Sequence, residues 1–230
     1  MLLLNLNNIG MVAADTTRTK YYLKELVKNK LMPNYILLLL NSNSKLLPGQ
    51  KESKTEFPQL LNDVGIKYDI APNTDINSDE VITKLANRPE QVFIYSGYGG
   101  VLLKDKLLNI EKKFLHIHGG YLPDYKGSTT NYFSLINENT MGASAIFLTK
   151  KIDGGPILLR KKFSPPKDRS KIDHNFDSEF RSKVLIECLK NYLISNSWEY
   201  ELENNNGGDT FYIIHPVLKH LAILNSKKSK

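Results

Sequence analysis

Hydrophobic residues along this chain gather in short continuous runs, which are separated by stretches with helical spacing. The runs 9–14, 35–40 and 92–96 are almost entirely apolar, as is typical of strands that are covered on both faces of a parallel sheet. Between the first two runs, residues 18–30 repeat apolar side chains at helical spacing, after the cap candidates 15–17. Strands that alternate with helices predict β-α-β units and therefore an α/β fold.

The same alternation continues to the end of the chain. Pro33 is expected to end the connection before the second strand, and a polar loop is predicted over 41–58. In a helix over 129–138, the side chains expected to point inward are Tyr132, Phe133 and Ile136. Further helices are predicted over 55–65, 81–87, 176–195 and 216–224, and further strands over 67–70, 142–148, 156–163 and 211–214.

This pattern predicts a Rossmann-like α/β fold. Its mostly parallel sheet carries helices on both faces, and a small C-terminal helix and strand extension is added to it. Pro165 and Pro166 mark a boundary. We therefore expect a catalytic domain over 1–165 and an extension over 166–230 that packs on it.

Composition narrows the class of protein. A single cysteine, Cys188, cannot form an intrachain disulfide, so a reducing, cytoplasmic setting is favoured. Apolar runs are too short to cross a bilayer, which predicts a soluble protein without membrane insertion. The net charge of +7 suits an acidic partner, such as a nucleotide diphosphate, a nucleic acid or an anionic membrane surface. The sequence lacks G-x-G-x-x-G after the first strand and lacks a P-loop, which argues against a dinucleotide oxidoreductase or a P-loop enzyme.

Two histidines mark the candidate site. His116 and His118 lie two residues apart in an apolar run, so they should point to the same side of a strand. Gly119, Gly120 and Pro123 follow directly and are typical of a loop that leaves a strand end. In open α/β sheets, the crevice outside such strand ends is where ligands bind.

The residues around these histidines carry a resemblance to a known family. The segment 118–127, preceded by 97–103 and followed by 152–157, resembles the 10-formyltetrahydrofolate-dependent formyltransferases. The family pattern is Asn-x-His-x-Ser-x-Leu-Pro-x-Tyr-Arg/Lys-Gly, followed further along by Val/Ile-Asp-x-Gly-x-Ile. The resemblance is strong over 92–163 and weak outside it.

The resemblance implies transfer of the formyl group of 10-formyltetrahydrofolate to an amine. By position, His118 is the acid/base histidine, and Asp153 is the carboxylate that orients it. An imidazole suits this role because it titrates near neutral pH. His116 takes the place of the family asparagine that holds the oxyanion, and Gly119 and Gly120 replace a pair that is usually Pro-Ser. Asparagine donates a hydrogen bond at any pH, whereas a histidine donates according to its tautomer and charge.

Binding residues follow from the same positions. The resemblance places the folate against Tyr98, Gly100, Leu102, Leu103, Thr149, Lys151 and Ile152. Residues expected to bind the acceptor are Arg18 and Lys20, near the N-terminus of the first helix, together with Gly120 and Tyr121.

The acceptor is inferred by elimination. The part that follows residue 163 is short for the added barrel domain of enzymes that formylate methionyl-tRNA, and residues 13–17 do not form the glycine-rich loop of glycinamide ribonucleotide formyltransferases. The chain therefore looks most like the sugar-nucleotide N-formyltransferases of cell-surface polysaccharide biosynthesis, with nucleic acid disfavoured as a partner and a homodimer left open. Three alternatives stay open: another amine as acceptor, a formyl hydrolase or metal-dependent variant built on the two histidines and the aspartate, and a folate-binding subunit without turnover.

Overall fold

A seven-stranded sheet lies at the centre of the computed structural model, which describes residues 4–40 and 57–224. The strands are β1 (Leu4–Ala14), β2 (Leu31–Leu39), β3 (Tyr68–Ile70), β4 (Val92–Ser96), β5 (Lys113–His118), β6 (Tyr125–Gly127), β7 (Met141–Phe147), β8 (Ile157–Phe163) and β9 (Asp209–Phe211). The helices are α1 (Thr17–Lys28), α2 (Phe57–Asp63), α3 (Asp79–Ala86), α4 (Asp105–Leu108), α5 (Thr130–Asn137), α6 (Asp177–Ser195) and α7 (Pro216–Leu224).

The strand order in the main sheet is β3-β2-β1-β4-β5-β7-β8. The first five strands of this order run parallel, and β7 and β8 are antiparallel additions at one side. Helices connect the parallel strands, as β-α-β units require. The predicted fold class, a mostly parallel Rossmann-like sheet with helices, is confirmed.

Each face of the sheet carries its own hydrophobic core. Along β1, Met11 and Ala13 face one core, which also contains side chains of α1 and α6, whereas Val12 and Ala14 face the other, together with α3 and α4. This division follows from the alternation of side chains along a strand. The continuous apolar runs therefore reflect burial on both faces.

The predicted elements recur with shifted ends. Helix α7 and strand β4 have the predicted bounds, but β1 begins at Leu4 and β2 at Leu31. Pro33, expected to end a connection, lies inside β2 opposite Leu6, next to the point where the register of β1 and β2 shifts. A proline cannot donate to the ladder, which explains its place beside an irregularity. The part of the predicted loop over 41–56 lies outside the described residues.

Two predictions are wrong: one on a side chain of α5 and one on the bounds of the last strand. In α5, Leu135 is buried in place of Ile136, which is 37% exposed. The last strand is β9, not 211–214: it pairs with β6 in a small two-stranded sheet, and the ring of Phe211 packs at a tilt on Phe133 with 4.5 Å between centroids. Tyr212, which follows β9, is largely exposed.

The segment after residue 165 contributes to the main core. Val184, Leu185 and Leu189 of α6 are fully buried, in the same cluster as the inner residues of β1. The division into a catalytic domain over 1–165 and an extension over 166–230 stays a prediction. In the part of the chain that the structure describes, no helix is both long enough and apolar enough to cross a membrane.

Candidate active site

A cavity of about 580 Å³ opens at the carboxyl ends of β4 and β5. Sheets of this kind commonly bind ligands there. All residues predicted to be catalytic or to bind folate line this cavity, together with Arg18: His116, His118, Asp153, Tyr98, Gly100, Leu102, Leu103, Thr149, Lys151 and Ile152. Positions far apart in the chain thus meet around one space.

Three residues predicted to bind the acceptor do not line the cavity. Lys20 is exposed on α1, because two residues along a helix turn a side chain by about 200° from the direction of Arg18. Gly120 is buried. Tyr121 turns to the opposite side of its loop, where the guanidinium of Arg160 lies 4.9 Å from its ring centroid. The structure therefore corrects the placement of all three.

His118 and Asp153 form a close pair. Nδ1 of His118 lies 3.3 Å from Oδ1 of Asp153, and both side chains are nearly buried. The second carboxylate oxygen, Oδ2, accepts a hydrogen bond from the backbone N–H of Gly127 at 2.8 Å. The hydrogen bond from Gly127 therefore fixes the carboxylate beside the ring.

The hydrogen bond made by the other nitrogen of His118 determines whether Nδ1 carries a proton towards Asp153. Nε2 donates to the carbonyl oxygen of Tyr125 at 2.8 Å, because a carbonyl can only accept. In the neutral ring, Nδ1 then turns its lone pair towards Asp153, and one more proton is needed to bond the two groups. Burial lowers the pKa of His118, and the nearby charge of Asp153 opposes that shift. The pair is a place where one proton can be taken up and released.

His116 has a different arrangement. Its Nδ1 lies 3.4 Å from the carbonyl oxygen of Tyr95 and donates to it. Burial lowers the pKa of His116 well below its ordinary value, and the positive charges of Arg18 and Arg181 lower it further. The ring is therefore neutral, and its Nε2 is an acceptor. This arrangement argues against the prediction that His116 donates to an oxyanion.

Two arginines line the cavity beside the histidines. Arg18, at the start of α1, donates from Nε to Ser96 Oγ at 3.3 Å and from Nη2 to the carbonyl oxygen of Gly97. Arg181, on α6, donates from Nη1 to the carbonyl oxygen of Ile117 at 3.1 Å, and its Nε lies 2.8 Å from Asp177. Arg181 was not predicted from the sequence, because an arginine on an amphipathic helix carries no signal that it turns towards a site.

Steric contacts explain why glycine occupies the two positions after His118. A Cβ atom at Gly119 would collide with Nη2 of Arg181 and lie 2.6 Å from Oδ1 of Asp177. A Cβ atom at Gly120 would lie 2.7 Å from Nε2 of His118 and from the carbonyl oxygen of Tyr125. Real Cβ contacts are longer than this, so the departures from the family pattern make room for the side chains of the site.

The loop that carries Asp153 is held by the C-terminal segment. Asp153 adopts a left-handed backbone conformation with φ of 46°. Buried Asn205 donates from Nδ2 to the carbonyl oxygens of Asp153 and Gly155, the latter at 3.1 Å. The ammonium group of Lys126 in turn donates to the carbonyl oxygens of Asn205 and Gly207 at 3.0 and 2.6 Å. Nothing in the local sequence marks Asn205 as a residue that supports the site.

The predicted folate residues form a slot with apolar walls. Leu102 and Ile152 are 60% and 47% exposed at the opening, and Tyr98 donates from its hydroxyl to the carbonyl oxygen of Leu39 at 2.9 Å. At Gly100, φ is 77° and a Cβ atom would meet nothing within 4 Å, so this backbone is open to a ligand. A flat ring with polar edges suits apolar walls that are flanked by backbone groups.

A metal site finds no support in the geometry. Among the residues that the structure describes, no group of three or more His, Cys, Asp or Glu side chains is arranged to hold an ion.

Comparison with known proteins gives a consistent family. The model of a family described as formyl transferase matches residues 9–178. The methionyl-tRNA formyltransferase of Finegoldia magna is 26% identical over 155 residues, which cover 66% of this chain and 47% of that protein. The enzyme of the same name from Pelagibacter ubique is 26% identical over 178 residues, covering 75% of this chain and 57% of that protein. The chain thus spans about half the length of these curated relatives.

Solved structures share the fold. A sugar N-formyltransferase from a Shewanella species superposes with a TM-score of 0.60 at 15% identity, covering 95% of this chain and 87% of that chain. The N-formyltransferase of Helicobacter canadensis, crystallised with folinic acid and dTDP-3-aminofucose, gives a TM-score of 0.60 at 17% identity, covering 90% of this chain and 71% of that chain.

Proposed function

Because this chain belongs to the formyl transferase family, we propose that it transfers the formyl group of 10-formyltetrahydrofolate to an amine. The observation that carries this proposal is the close pair of His118 and Asp153, 3.3 Å apart at the wall of a cavity. Such a pair can move a proton in a site that excludes most of the water. The apolar slot beside it supports a folate as the donor.

The chemistry needs one proton to move from one nitrogen to another. The amine nitrogen attacks the formyl carbon, and the electron pair of the C=O bond moves to the oxygen. His118 and Asp153 take a proton from the attacking nitrogen. The bond from carbon to N10 then breaks, the C=O bond re-forms, and the proton passes to N10. The products are the formamide and tetrahydrofolate, so atoms and charges balance.

For the acceptor, we propose the amino group of a nucleotide-linked amino-dideoxy sugar, as used in cell-surface polysaccharide biosynthesis. The likeness of the fold to sugar N-formyltransferases over nearly the whole chain supports this acceptor. Arg18 offers a cationic group in the cavity wall for a diphosphate. Methionyl-tRNA is the second candidate, because the curated relatives are named methionyl-tRNA formyltransferases.

The test is a transfer assay with a panel of acceptors. Purified protein receives 10-formyltetrahydrofolate with dTDP-linked amino sugars, methionyl-tRNA or glycinamide ribonucleotide, and both tetrahydrofolate and the formylated product are measured. We expect turnover with an amino sugar nucleotide. Turnover with methionyl-tRNA alone would replace the proposed acceptor, and binding of folate without turnover on any amine would indicate a folate-binding protein instead.

A matched pair of variants ties activity to the site. His118→Asn removes the acid/base ring and should lower kcat by about 10²–10⁴-fold. His220→Asn makes the same change at an exposed position outside the cavity lining and should leave kcat unchanged. Equal activity of the two variants would contradict the role of His118.

A further inference from the structure

The wall of the cavity beside the histidines holds a positive charge without a matching carboxylate. The two hydrogen bonds of Arg18 go to neutral oxygens, on Ser96 and Gly97, and within the described residues Arg18 forms no ion pair. Arg181 has Asp177 as a partner, but that carboxylate also accepts a hydrogen bond from Asn131 at 3.0 Å. A buried cation that lacks a partner favours the binding of an anion.

A buried hydroxyl in the wall of the same cavity lacks a hydrogen-bond partner. Tyr95 lines the cavity and is 4% exposed, yet its hydroxyl makes no hydrogen bond to any residue that the structure describes. Burial raises the pKa of Tyr95 to about 12, so the hydroxyl keeps its proton. Unpaired buried donors are costly, and their position here points to a ligand with acceptor oxygens.

The reaction itself generates such a group beside the histidines. As the amine attacks, negative charge develops on the formyl oxygen, and donors fixed at that oxygen lower the barrier. In the family pattern an asparagine holds this oxygen, at the position of His116. Here Nδ1 of His116 donates to Tyr95 O and Nε2 can only accept. Another donor is therefore required.

We propose that Arg181 holds the oxyanion that forms during formyl transfer and takes over the role of the missing asparagine. This inference rests on the proposed function. The loss of the asparagine at position 116 is accompanied by a glycine at position 119. That glycine is needed because Nη2 of Arg181 occupies the space that a side chain at Gly119 would fill. The arginine donates hydrogen bonds and transfers no proton, and the charge it stabilises disappears when the bond to N10 breaks.

The geometry of Arg181 suits this role. Its Nη1 donates to the carbonyl oxygen of Ile117, between the two histidines, and Asp177 holds its Nε end. The guanidinium is thus fixed from two sides before any substrate binds. Burial opposes its charge, but Asp177 and the hydroxyl of Tyr22 raise the pKa of Arg181 above its ordinary value, so it stays cationic. A fixed cation that is shielded from water acts strongly on a developing negative charge.

The test combines Arg181→Gln with His116→Asn. Arg181→Gln should lower kcat by about 100-fold or more, while the Kd of a folate analogue and the KM of the acceptor change less than about threefold. Adding His116→Asn restores an amide donor and should raise the kcat of the double variant about tenfold or more above that of Arg181→Gln. Lys183→Gln is the matched control, because it removes a cation from the same helix at a side chain that is 52% exposed. It should behave as wild type.

The outcomes separate the two proposals. If Arg181→Gln raises the acceptor KM with an unchanged kcat, the arginine binds an anionic group of the acceptor and the inference is wrong. No recovery in the double variant also overturns it, provided that folate-analogue binding and the thermal midpoint show a folded protein. If wild type neither transfers the formyl group nor accelerates its hydrolysis, the proposed function fails and this inference with it. Wild-type turnover alongside an unimpaired Arg181→Gln overturns the inference alone.

Discussion

Each histidine of the site gives one ring nitrogen to a backbone carbonyl, and this choice decides what the other nitrogen can do. His118 uses Nε2, which leaves Nδ1 for Asp153. His116 uses Nδ1, which leaves an acceptor at Nε2. Two residues with the same side chain, on the same strand, therefore differ in chemistry: one faces a carboxylate with which it can share a proton, and the other stays neutral.

The pairing predicts a specific effect of Asp153→Asn. Its amide oxygen can still accept from Gly127, while its NH₂ group donates to Nδ1 of His118 and occupies the lone pair that should take the proton. We expect kcat to fall by about 10²–10⁴-fold with little change in the thermal midpoint, because the hydrogen bonds of the loop are kept. Steady-state kinetics and thermal unfolding measure both quantities. An active variant would show that the pair does not carry the proton.

The lowered pKa of His116 predicts how stability depends on pH. At a pH below about 6.5, the ordinary pKa of histidine, the ring binds a proton in the unfolded chain. It does not bind one in the folded chain, since burial lowers the folded-state pKa. Protonation then favours unfolding, so stability is fully present above this pH and decreases as the pH falls below it. In His116→Asn the thermal midpoint should drop less between about pH 7 and pH 5 than in wild type.

Exposed His220 provides the control for this measurement. His220→Asn should keep the acid sensitivity of wild type. Identical slopes for wild type and His116→Asn would mean that His116 titrates normally in the folded protein.

At the scale of elements, the small sheet of β6 and β9 joins the histidine loop to the C-terminal segment. Tyr125, at the start of β6, supplies the carbonyl oxygen that accepts from His118, and it stacks on Phe211 of β9 with 5.4 Å between ring centroids. Gly127, at the end of β6, supplies the N–H that holds Asp153. One short strand thus positions both His118 and Asp153, and the strand that it pairs with lies more than eighty residues further along the chain.

A substitution of Asn205 tests whether the C-terminal segment holds the loop of Asp153. Asn205→Ala removes the donor to the carbonyl oxygens of Asp153 and Gly155 and should lower the free energy of unfolding by about 1–3 kcal/mol. The activity should fall as well, because Asp153 loses the support of its left-handed turn. Denaturant unfolding and kcat are the measurements. Asn204→Ala, at an exposed neighbour, should change neither, and equal effects of the two variants would contradict this role of Asn205.

At the scale of the molecule, the helix that carries Arg181 is part of the main core. Helix α6 buries Val184, Leu185 and Leu189 against the same cluster as β1 and α1. A site built from β5, α1 and α6 is therefore as rigid as the packing between them, and residues after 165 are needed for it.

Core packing of α6 predicts a large effect of one truncation. Leu189→Ala, at a fully buried position, should lower the free energy of unfolding by about 2–5 kcal/mol, with a single cooperative transition. Ile194→Ala on the same helix, where the side chain is 85% exposed, should change it by less than about 0.5 kcal/mol. Denaturant unfolding measures both. A second, separate transition would indicate that the segment after 165 unfolds independently.

Local patterns account for what could be predicted. Apolar runs located the parallel strands, because a strand buried on both faces needs apolar residues at every position. The histidine loop and Asp153 were found through a motif whose members keep their order along the chain. The last strand begins two residues and ends three residues before its predicted bounds, because these depend on pairing with β6 and on packing of Phe211 rather than on its own composition.

The sequence by itself determined the fold class, because apolar runs and helical spacing are local patterns, and its motif identified many of the residues that meet around the cavity. Only the tertiary structure decided which ring nitrogen each histidine offers, that Lys20 and Tyr121 turn away, and that Arg181 and Asn205 reach the site. The reason is physical: a hydrogen bond or a steric contact between distant segments depends on the positions of both partners, and neither segment carries that information alone.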